Sequence, residues 1–265
     1  MTYFLMFFVF FIGAVIGSFL NVLIDRLPQD KKITGRSACD YCHHQLSWYD
    51  LIPIFSFFLL KGRCRYCRKK ISWQYPLVEI LTGIVFLLIF NEFSIFLPHW
   101  QAGNFQFVKV LILWGIVSCF IVIFFSDVNY HLISDYILWA LFIFSLFFHL
   151  ATSFNLFQFS VYFFSGIIIA FPIWLIYFLS KERAMGLGDV YLAAILGFLL
   201  GWQKGFMALY LAFVLGGVMG LFLIIFGRKK LKSKIAFGPF LVIGAVVILF
   251  WGEEILKVVL GFYGL

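Results

Sequence analysis

The chain is poor in charged residues, which make up only 12% of its 265 positions. A soluble protein of this length carries charge on about one quarter of its residues, so the composition excludes an ordinary soluble domain. Hydrophobic residues account for 64% of the chain and aromatic residues for 22%. The composition therefore predicts an integral membrane protein, with room for about eight spans of roughly 20 residues each.

Two kinds of short signal are also absent from the sequence. No basic residue precedes the first apolar run and no A-x-A-like site follows it, so we interpret this run as a membrane span and not as a signal peptide. No G-x-G-x-x-G follows a predicted strand, so the residues do not locate a pocket for a nucleotide-like cofactor.

The apolar runs predict an all-α polytopic membrane protein with about eight transmembrane helices. A polar stretch, residues 25–76, separates the first helix (residues 1–24) from a seven-helix region (residues 77–265), and it is the only segment able to form a soluble domain. The sixth span is short and could be tilted or partly re-entrant. The predicted spans are residues 3–24, 77–97, 107–125, 136–151, 158–180, 190–203, 205–227 and 236–252.

The positions of lysine and arginine predict the orientation of these spans. When eight spans are counted, seventeen of the 20 basic residues fall on one side, ten of them in the polar insert. Basic loops face the cytosol, so we expect the insert there and both termini outside. The net charge of +8 then marks a face near anionic lipid, and not a nucleic-acid site. The three basic residues on the opposite side are Lys109, Lys204 and Lys257.

Asp127 and Asp189 are each expected where an apolar span meets a short polar turn, on the same membrane side. Carboxylates at that depth are costly to ionise, so they are rare and more often functional than structural. Two that lie close together do not both ionise readily, so one keeps its proton and the other is a base. The base can take a proton from water as it attacks a peptide carbonyl, and the acid can protonate the leaving nitrogen.

Each aspartate also has a purely structural interpretation. Asp189 closes the run Gly186-Leu187-Gly188-Asp189 and could be the N-cap of the sixth helix, while Asp127 could be a solvated turn residue. Asp135 is a spare carboxylate that could equally cap the fourth span. The two glycines would let the backbone beside Asp189 approach an extended substrate.

Four cysteines in the insert form two C-x-x-C pairs with 21 residues between them. This spacing is typical of a structural zinc site with four thiolate ligands, although a redox dithiol or empty thiols would share it. A reducing cytosol disfavours disulfides, and metal would stabilise an insert too small to bury much core. His43 or His44 could replace one thiolate, and Cys119 is interpreted as packing. The predicted ligands are Cys39, Cys42, Cys64 and Cys67.

One acidic residue remains at the cytosolic end of the second predicted span. We interpret Glu79 as a charge that extends towards the membrane surface, with binding of a peptide or a cofactor as the alternative.

Several sequence blocks, in order along most of the chain, resemble the bacterial prepilin peptidases, also called type IV leader peptidases. The blocks are Gly17-Ser18-Phe19-Leu20-Asn21-Val22 with Arg26-Leu27-Pro28, Ile52-Pro53-Ile54-Phe55-Ser56, Gly62-Arg63-Cys64-Arg65-Tyr66-Cys67, Tyr75-Pro76-Leu77-Val78-Glu79, Asp127, Gly186-Leu187-Gly188-Asp189 and Phe237-Gly238-Pro239.

The resemblance implies a G-x-G-D aspartyl protease of the bacterial inner membrane, with Asp127 and Asp189 as the catalytic pair. It implies that prepilin or pseudopilin precursors are cut on the cytosolic side. Many family members also methylate the new amino terminus from S-adenosylmethionine, and the four cysteines associated with such members are present. Residues 77–265 would be the protease core and residues 25–76 the zinc module.

Two other classes of function remain open from the residues. A proton-coupled transporter could use Asp127, Asp135 and Asp189 as relay carboxylates, but paired inverted halves are not evident. A non-enzymatic assembly factor could use the zinc module to bind a partner.

Overall fold

The computed structural model describes residues 2–95, 105–152, 155–182, 185–226 and 236–262. Six basic residues that contribute to the predicted orientation lie outside the described residues. They are Arg183, Arg228, Lys229, Lys230, Lys232 and Lys234.

The described residues fold into α-helices, with short 3-10 helices at Leu27–Gln29 and Trp48–Leu51 and no named strand. The α-helices are α1 (Thr2–Arg26), α2 (Phe55–Leu59), α3 (Gln74–Ile95), α4 (Phe105–Tyr130), α5 (Asp135–Thr152), α6 (Leu156–Ser180), α7 (Leu187–Leu200), α8 (Trp202–Ile225) and α9 (Gly238–Phe262).

Seven of the described helices are long and apolar enough to cross a membrane, and the predicted all-α polytopic class is confirmed. They are α1, α3, α4, α5, α6, α8 and α9. The sixth predicted span corresponds to α7, an apolar helix of only 14 residues. At 1.5 Å per residue α7 is about 21 Å long, shorter than the hydrocarbon core of a bilayer.

The chain divides into two compact units, Met1–Val122 and Ile123–Leu265, and α4 runs through the boundary. The boundaries predicted at residues 24/25 and 76/77 separate the first membrane helix, the cysteine insert and the seven-helix region. These boundaries stay a prediction.

In the first unit α1 and α3 pack antiparallel through glycines. A Cβ atom on Gly13 would lie 2.8 Å from the Cα of Gly83, and one on Gly17 would lie 2.8 Å from the Cα of Glu79. Both distances are too short for a real Cβ, so only glycine permits this approach of the two backbones.

The cysteine segment of the first unit repeats one backbone pattern twice. In each repeat the N–H of the first cysteine, Cys39 or Cys64, donates to the carbonyl five residues later, at 3.0 and 2.9 Å. The residue four positions after that cysteine is left-handed, with φ of 55° at His43 and 58° at Arg68. The two turns therefore present their cysteines in the same way.

In the second unit α7 is held closely by its neighbours. A Cβ on Gly197 would lie 2.7 Å from the carbonyl oxygen of Ser165 in α6, so these helices are in backbone contact. At the end of α7 the Nε2 atom of His149 hydrogen-bonds to the carbonyl oxygen of Phe198 at 2.9 Å. Gly201, with φ of 79°, then ends the helix. These contacts fix the far end of α7 and hence the position of its first turn.

Two predicted boundaries next to the aspartates are wrong. The third span was expected to end at residue 125, but α4 continues to Tyr130, so Asp127 lies in a helix and not in a polar turn. The sixth span was expected over residues 190–203, but α7 covers Leu187–Leu200 and includes Asp189 in its first turn. In both cases the aspartate at the helix end is buried, which favours a helical turn over a solvated one.

Candidate active site and metal centre

Asp127 lies near the end of α4 and is only 6% exposed. Its Oδ2 atom accepts the backbone N–H of Gly238, the first residue of α9, at 2.9 Å. The carbonyl groups at the end of α4 disfavour a negative charge there, whereas the free N–H groups at the start of α9 favour one. The start of α9 therefore offsets the unfavourable position of Asp127 on its own helix.

Asp189 lies in the first turn of α7 and is 8% exposed. Gly186 is the N-cap of this helix, so the alternative that Asp189 is the N-cap is wrong. The Oδ2 atom of Asp189 instead accepts the N–H of Gly186 at 3.1 Å, as a carboxylate at the third helical position does in a capping box. Each aspartate is thus held by an N–H group at the start of a helix.

Ile133, in the turn between α4 and α5, contacts both glycine motifs. A Cβ on Gly188 would lie 3.2 Å from the Cβ of Ile133, and a Cβ on Gly238 would lie 3.2 Å from its Cδ1. The structure therefore brings the two predicted aspartates into one buried cluster within the second unit.

This cluster can perform acid–base chemistry. Two interacting carboxyl groups with little access to water do not ionise together, so one holds a proton and the other can accept one. A water molecule between them would meet a base on one side, and a bound amide would meet an acid on the other.

Asp135 differs from both residues in exposure. It is the first residue of α5, and its side chain faces solvent in the described structure. Ser134 precedes it, and the Ser134 carbonyl accepts the N–H of Ile137 at 3.1 Å. Ser134 therefore occupies the N-cap position and Asp135 the first helical position, so the alternative that Asp135 caps the fourth span is wrong.

The four predicted cysteine ligands converge in the first unit. Their Sγ atoms all lie within 4.8 Å of one another, and those of Cys39 and Cys67 are 3.8 Å apart. Tetrahedral zinc with Zn–S bonds of 2.3 Å requires sulfur atoms about 3.8 Å apart, so the donor set and its spacing fit a closed zinc site. Within the described residues, the group that could hold a metal ion contains neither His43 nor His44.

The surroundings of Cys64 favour a thiolate. Hydrogen bonds from the backbone at Cys67 and Tyr66 lower the pKa of the Cys64 thiol to about 7, although its burial opposes them. No disulfide joins these cysteines, and all five cysteines of the chain are free. A metal bound here would stabilise the thiolate form further.

Comparisons with known proteins match both parts of this arrangement. A model described as the bacterial peptidase A24 N-terminal domain matches residues 11–93, and a model described as the type IV leader peptidase family matches residues 114–221. A relative from Stutzerimonas stutzeri, named prepilin leader peptidase/N-methyltransferase, is 30% identical over 92% of this chain and 90% of its own length. The chain belongs to the type IV leader peptidase family.

Two further relatives of the same name extend over similar lengths. The protein from Aeromonas hydrophila is 30% identical over 94% of this chain and 91% of its own. The protein from Pseudomonas aeruginosa is 28% identical over 96% of this chain and 92% of its own. No solved structure matches the chain.

Two contacts of the aspartate cluster could not be predicted from the sequence. They are the contacts of Gly238 with Asp127 and of Ile133 with Gly188 and Gly238. A glycine N–H and an isoleucine side chain give no chemical signal, and Gly238 is 111 positions from the aspartate that it contacts.

A third missed contact lies beside the cysteines. Asp50 is buried and accepts the Nε–H of Arg65 at 2.7 Å. Its other oxygen accepts the N–H of Ser47 at 3.3 Å. This pair ties the 3-10 helix at Trp48–Leu51 to the second cysteine turn.

The preferred interpretation of Glu79 as a charge that extends to the surface is wrong. Its side chain is buried, with 7% of the residue exposed, and its Oε2 atom accepts the N–H of Ile54 at 2.7 Å. Ile54 has φ of 64°, which is rare for a β-branched residue, so a specific contact holds this turn.

Proposed function

We propose that this chain is a membrane aspartyl endopeptidase that removes the leader peptide from type IV prepilin-like precursors. The observation that supports this most is the pair of buried carboxylates Asp127 and Asp189, each held by the N–H of a glycine at a helix start, in a chain of the leader peptidase family. Relatives over nearly the whole chain are named prepilin leader peptidase/N-methyltransferase.

In the proposed reaction the ionised member of the pair takes a proton from water as the water oxygen attacks the scissile carbonyl carbon. The protonated member then gives its proton to the leaving nitrogen as the C–N bond breaks. The proton taken from water remains on the first carboxyl, so the pair ends with one proton, as it began. The N–H groups of Gly186 and Gly238 keep the two carboxyl groups in place.

We place the aspartates and the cysteine module on the cytosolic side of the bacterial inner membrane, with both termini outside. The support is the 17 to 3 division of basic residues between the two sides of the predicted spans. A prepilin or pseudopilin would then insert as an apolar helix and present its leader in the cytosol.

We assign zinc to the four cysteines, with a structural role. Four sulfur ligands leave no open position for water or substrate, so Cys39, Cys42, Cys64 and Cys67 would hold the ion without taking part in cleavage. Bound zinc would supply a cross-link between the two cysteine turns.

We assign N-methylation of the new amino terminus, with S-adenosylmethionine as methyl donor, as a second activity. Its support is the name of the relatives together with the presence of the four cysteines. Neither a proton-coupled transporter nor a non-enzymatic assembly factor is favoured by the family match.

The test is incubation of the purified chain in lipid with a full-length prepilin and S-adenosylmethionine, followed by mass spectrometry of the product. We expect a shortened protein with a methylated amino terminus. A shortened but unmethylated product would remove the second activity alone, and an intact precursor would contradict the proposed peptidase.

A further inference from the structure

The insert between α1 and α3 is polar overall, but residues 51–60 within it form a short apolar segment. Nine of its ten residues are apolar, and Ser56 is the exception. The segment comprises the end of the 3-10 helix, the turn at Pro53 and Ile54, and helix α2. A run of this length is too short to span a bilayer and is typical of a re-entrant or interfacial element.

Four of the nine apolar residues of this segment are exposed in the described structure. Phe55 is 56% exposed, Phe58 55% and Leu59 81%. Phe57 is buried instead, with its ring 4.9 Å from that of Trp73. Trp73 immediately precedes α3, so α2 lies beside the point at which a membrane helix begins.

The turn at Pro53 and Ile54, just before α2, contacts the side of the α1–α3 pair. Ile54 donates its N–H to Glu79 of α3, and Glu79 packs against Gly17 of α1. Glu79 lies five residues after the start of α3, about 7 Å along its axis, and Gly17 lies nine residues before the end of α1, about 13 Å. The turn is therefore well inside the length of the α1–α3 pair, and not beyond its end.

An apolar cavity of about 330 Å³ continues from this turn along α1. Ile54 and Phe55 line one part of it, and Phe7, Phe10 and Ala14 are among the residues of α1 that line another part. Phe7 is itself 62% exposed on a helix that is apolar enough to cross a membrane. The surface of the segment is thus continuous with the lipid-facing surface of α1.

Non-helical chain inside a bilayer needs partners within the protein for its polar groups, and several N–H groups of the segment have them. Pro53 has no N–H, and the N–H of Ile54 is bonded to Glu79. The N–H groups of Ser56 and Phe58 donate to carbonyl groups four residues earlier, at 3.1 and 3.2 Å. The N–H of Leu60 donates to the Ser56 carbonyl at 3.0 Å.

Basic residues follow the segment directly. Lys61 and Arg63 are both exposed. Basic residues next to an apolar surface are suited to bind lipid, because the acyl chains contact the apolar surface and the phosphate groups attract the cations.

We propose that residues 51–60 are a re-entrant segment that enters the leaflet next to the cysteine module, with a lipid acyl chain as the occupant of the adjoining cavity. The module is then anchored in the bilayer by its own loop, in addition to α1 and α3. This inference does not depend on the peptidase reaction.

The test uses the full-length chain in lipid nanodiscs, with Phe58 replaced by 4-(trifluoromethyl)phenylalanine and observed by fluorine NMR. The control carries the same label in place of Tyr41, an exposed residue of the first cysteine turn. A second sample is labelled at Leu59, and circular dichroism checks that each labelled protein keeps its helical content.

We expect lipids with a nitroxide on the acyl chain to remove the signals at positions 58 and 59, while a water-soluble gadolinium chelate leaves them. The signal at position 41 should show the reverse. The proposal is overturned if the gadolinium chelate removes the signals at positions 58 and 59 and the nitroxide lipid has no effect. The segment would then be exposed to water or to a soluble partner.

Discussion

At the scale of single residues, the cluster depends on backbone groups as much as on carboxylates. Asp127 and Asp189 could be identified from the sequence because a carboxylate in an apolar environment is costly and therefore informative. Their partners could not, because the N–H of Gly238 is present in any residue except proline. Only the fold shows that this particular N–H meets Asp127.

Gly238 gives the first prediction. A Cβ at this position would lie 2.6 Å from the Oδ2 atom of Asp127 and 3.2 Å from Ile133, so Gly238→Ala should displace the carboxylate. We expect prepilin cleavage to fall by about 100-fold, as for other small displacements of reacting groups. The measurement is a cleavage assay in detergent or lipid.

Gly217→Ala is the matched control, since a Cβ on Gly217 meets nothing within 4 Å. This variant should retain full cleavage. Equal activity of the two variants would show that Asp127 tolerates a shift at the start of α9.

At the scale of helices and turns, composition predicted that helices exist but not where two of them end. The residues from Ser126 to Tyr130 look like a polar turn, yet they form the last turn of α4. Ser126 and Asp127 are only 2% and 6% exposed, so packing in the second unit overrides the local preference of polar residues for a turn. The same reason explains why Asp189 is inside α7.

Glu79 gives a prediction at this scale, because it connects α3 to the turn at Ile54. Glu79→Ala removes the acceptor and leaves a buried N–H without a partner, which costs about 1–3 kcal/mol. We expect a lower thermal unfolding midpoint for the purified protein.

Glu79→Gln retains a side-chain oxygen that can accept the same N–H, so its unfolding midpoint should lie closer to that of the unsubstituted protein. If the alanine and glutamine variants unfold at the same temperature, the contact between Glu79 and Ile54 contributes nothing measurable to stability.

At the scale of the whole molecule, the membrane class and the cysteine module could be predicted well. Scarcity of charge indicates a membrane protein whatever the detailed packing, and two C-x-x-C pairs indicate a metal site because their spacing is local. Both pairs read C-x-Y-C, and the sequence shows this likeness, but the hydrogen bond that closes each turn is visible only in the fold. Asp50 was also missed, since its ion pair with Arg65 joins separate parts of the insert.

The metal site gives a prediction for the whole chain. The purified protein should contain one zinc ion per chain by elemental analysis, and Cys67→Ala should lose it because a tetrahedral site needs all four ligands. Cys119→Ala is the control, since Cys119 is buried in α4 and outside the sulfur cluster, and it should keep the zinc. A zinc content far below one in the unsubstituted protein would remove the assignment.

The central claim is that Asp127 and Asp189 act together on one water molecule. The most direct measurement is prepilin cleavage by Asp127→Asn, Asp189→Asn and Asp135→Asn, each of which preserves side-chain size while removing one carboxylate. We expect each of the first two to lose at least about 100-fold in rate, the range of a single acid–base group, and Asp135→Asn to retain most of its activity. Normal cleavage by either of the first two variants, or loss of cleavage in Asp135→Asn alone, would contradict the account.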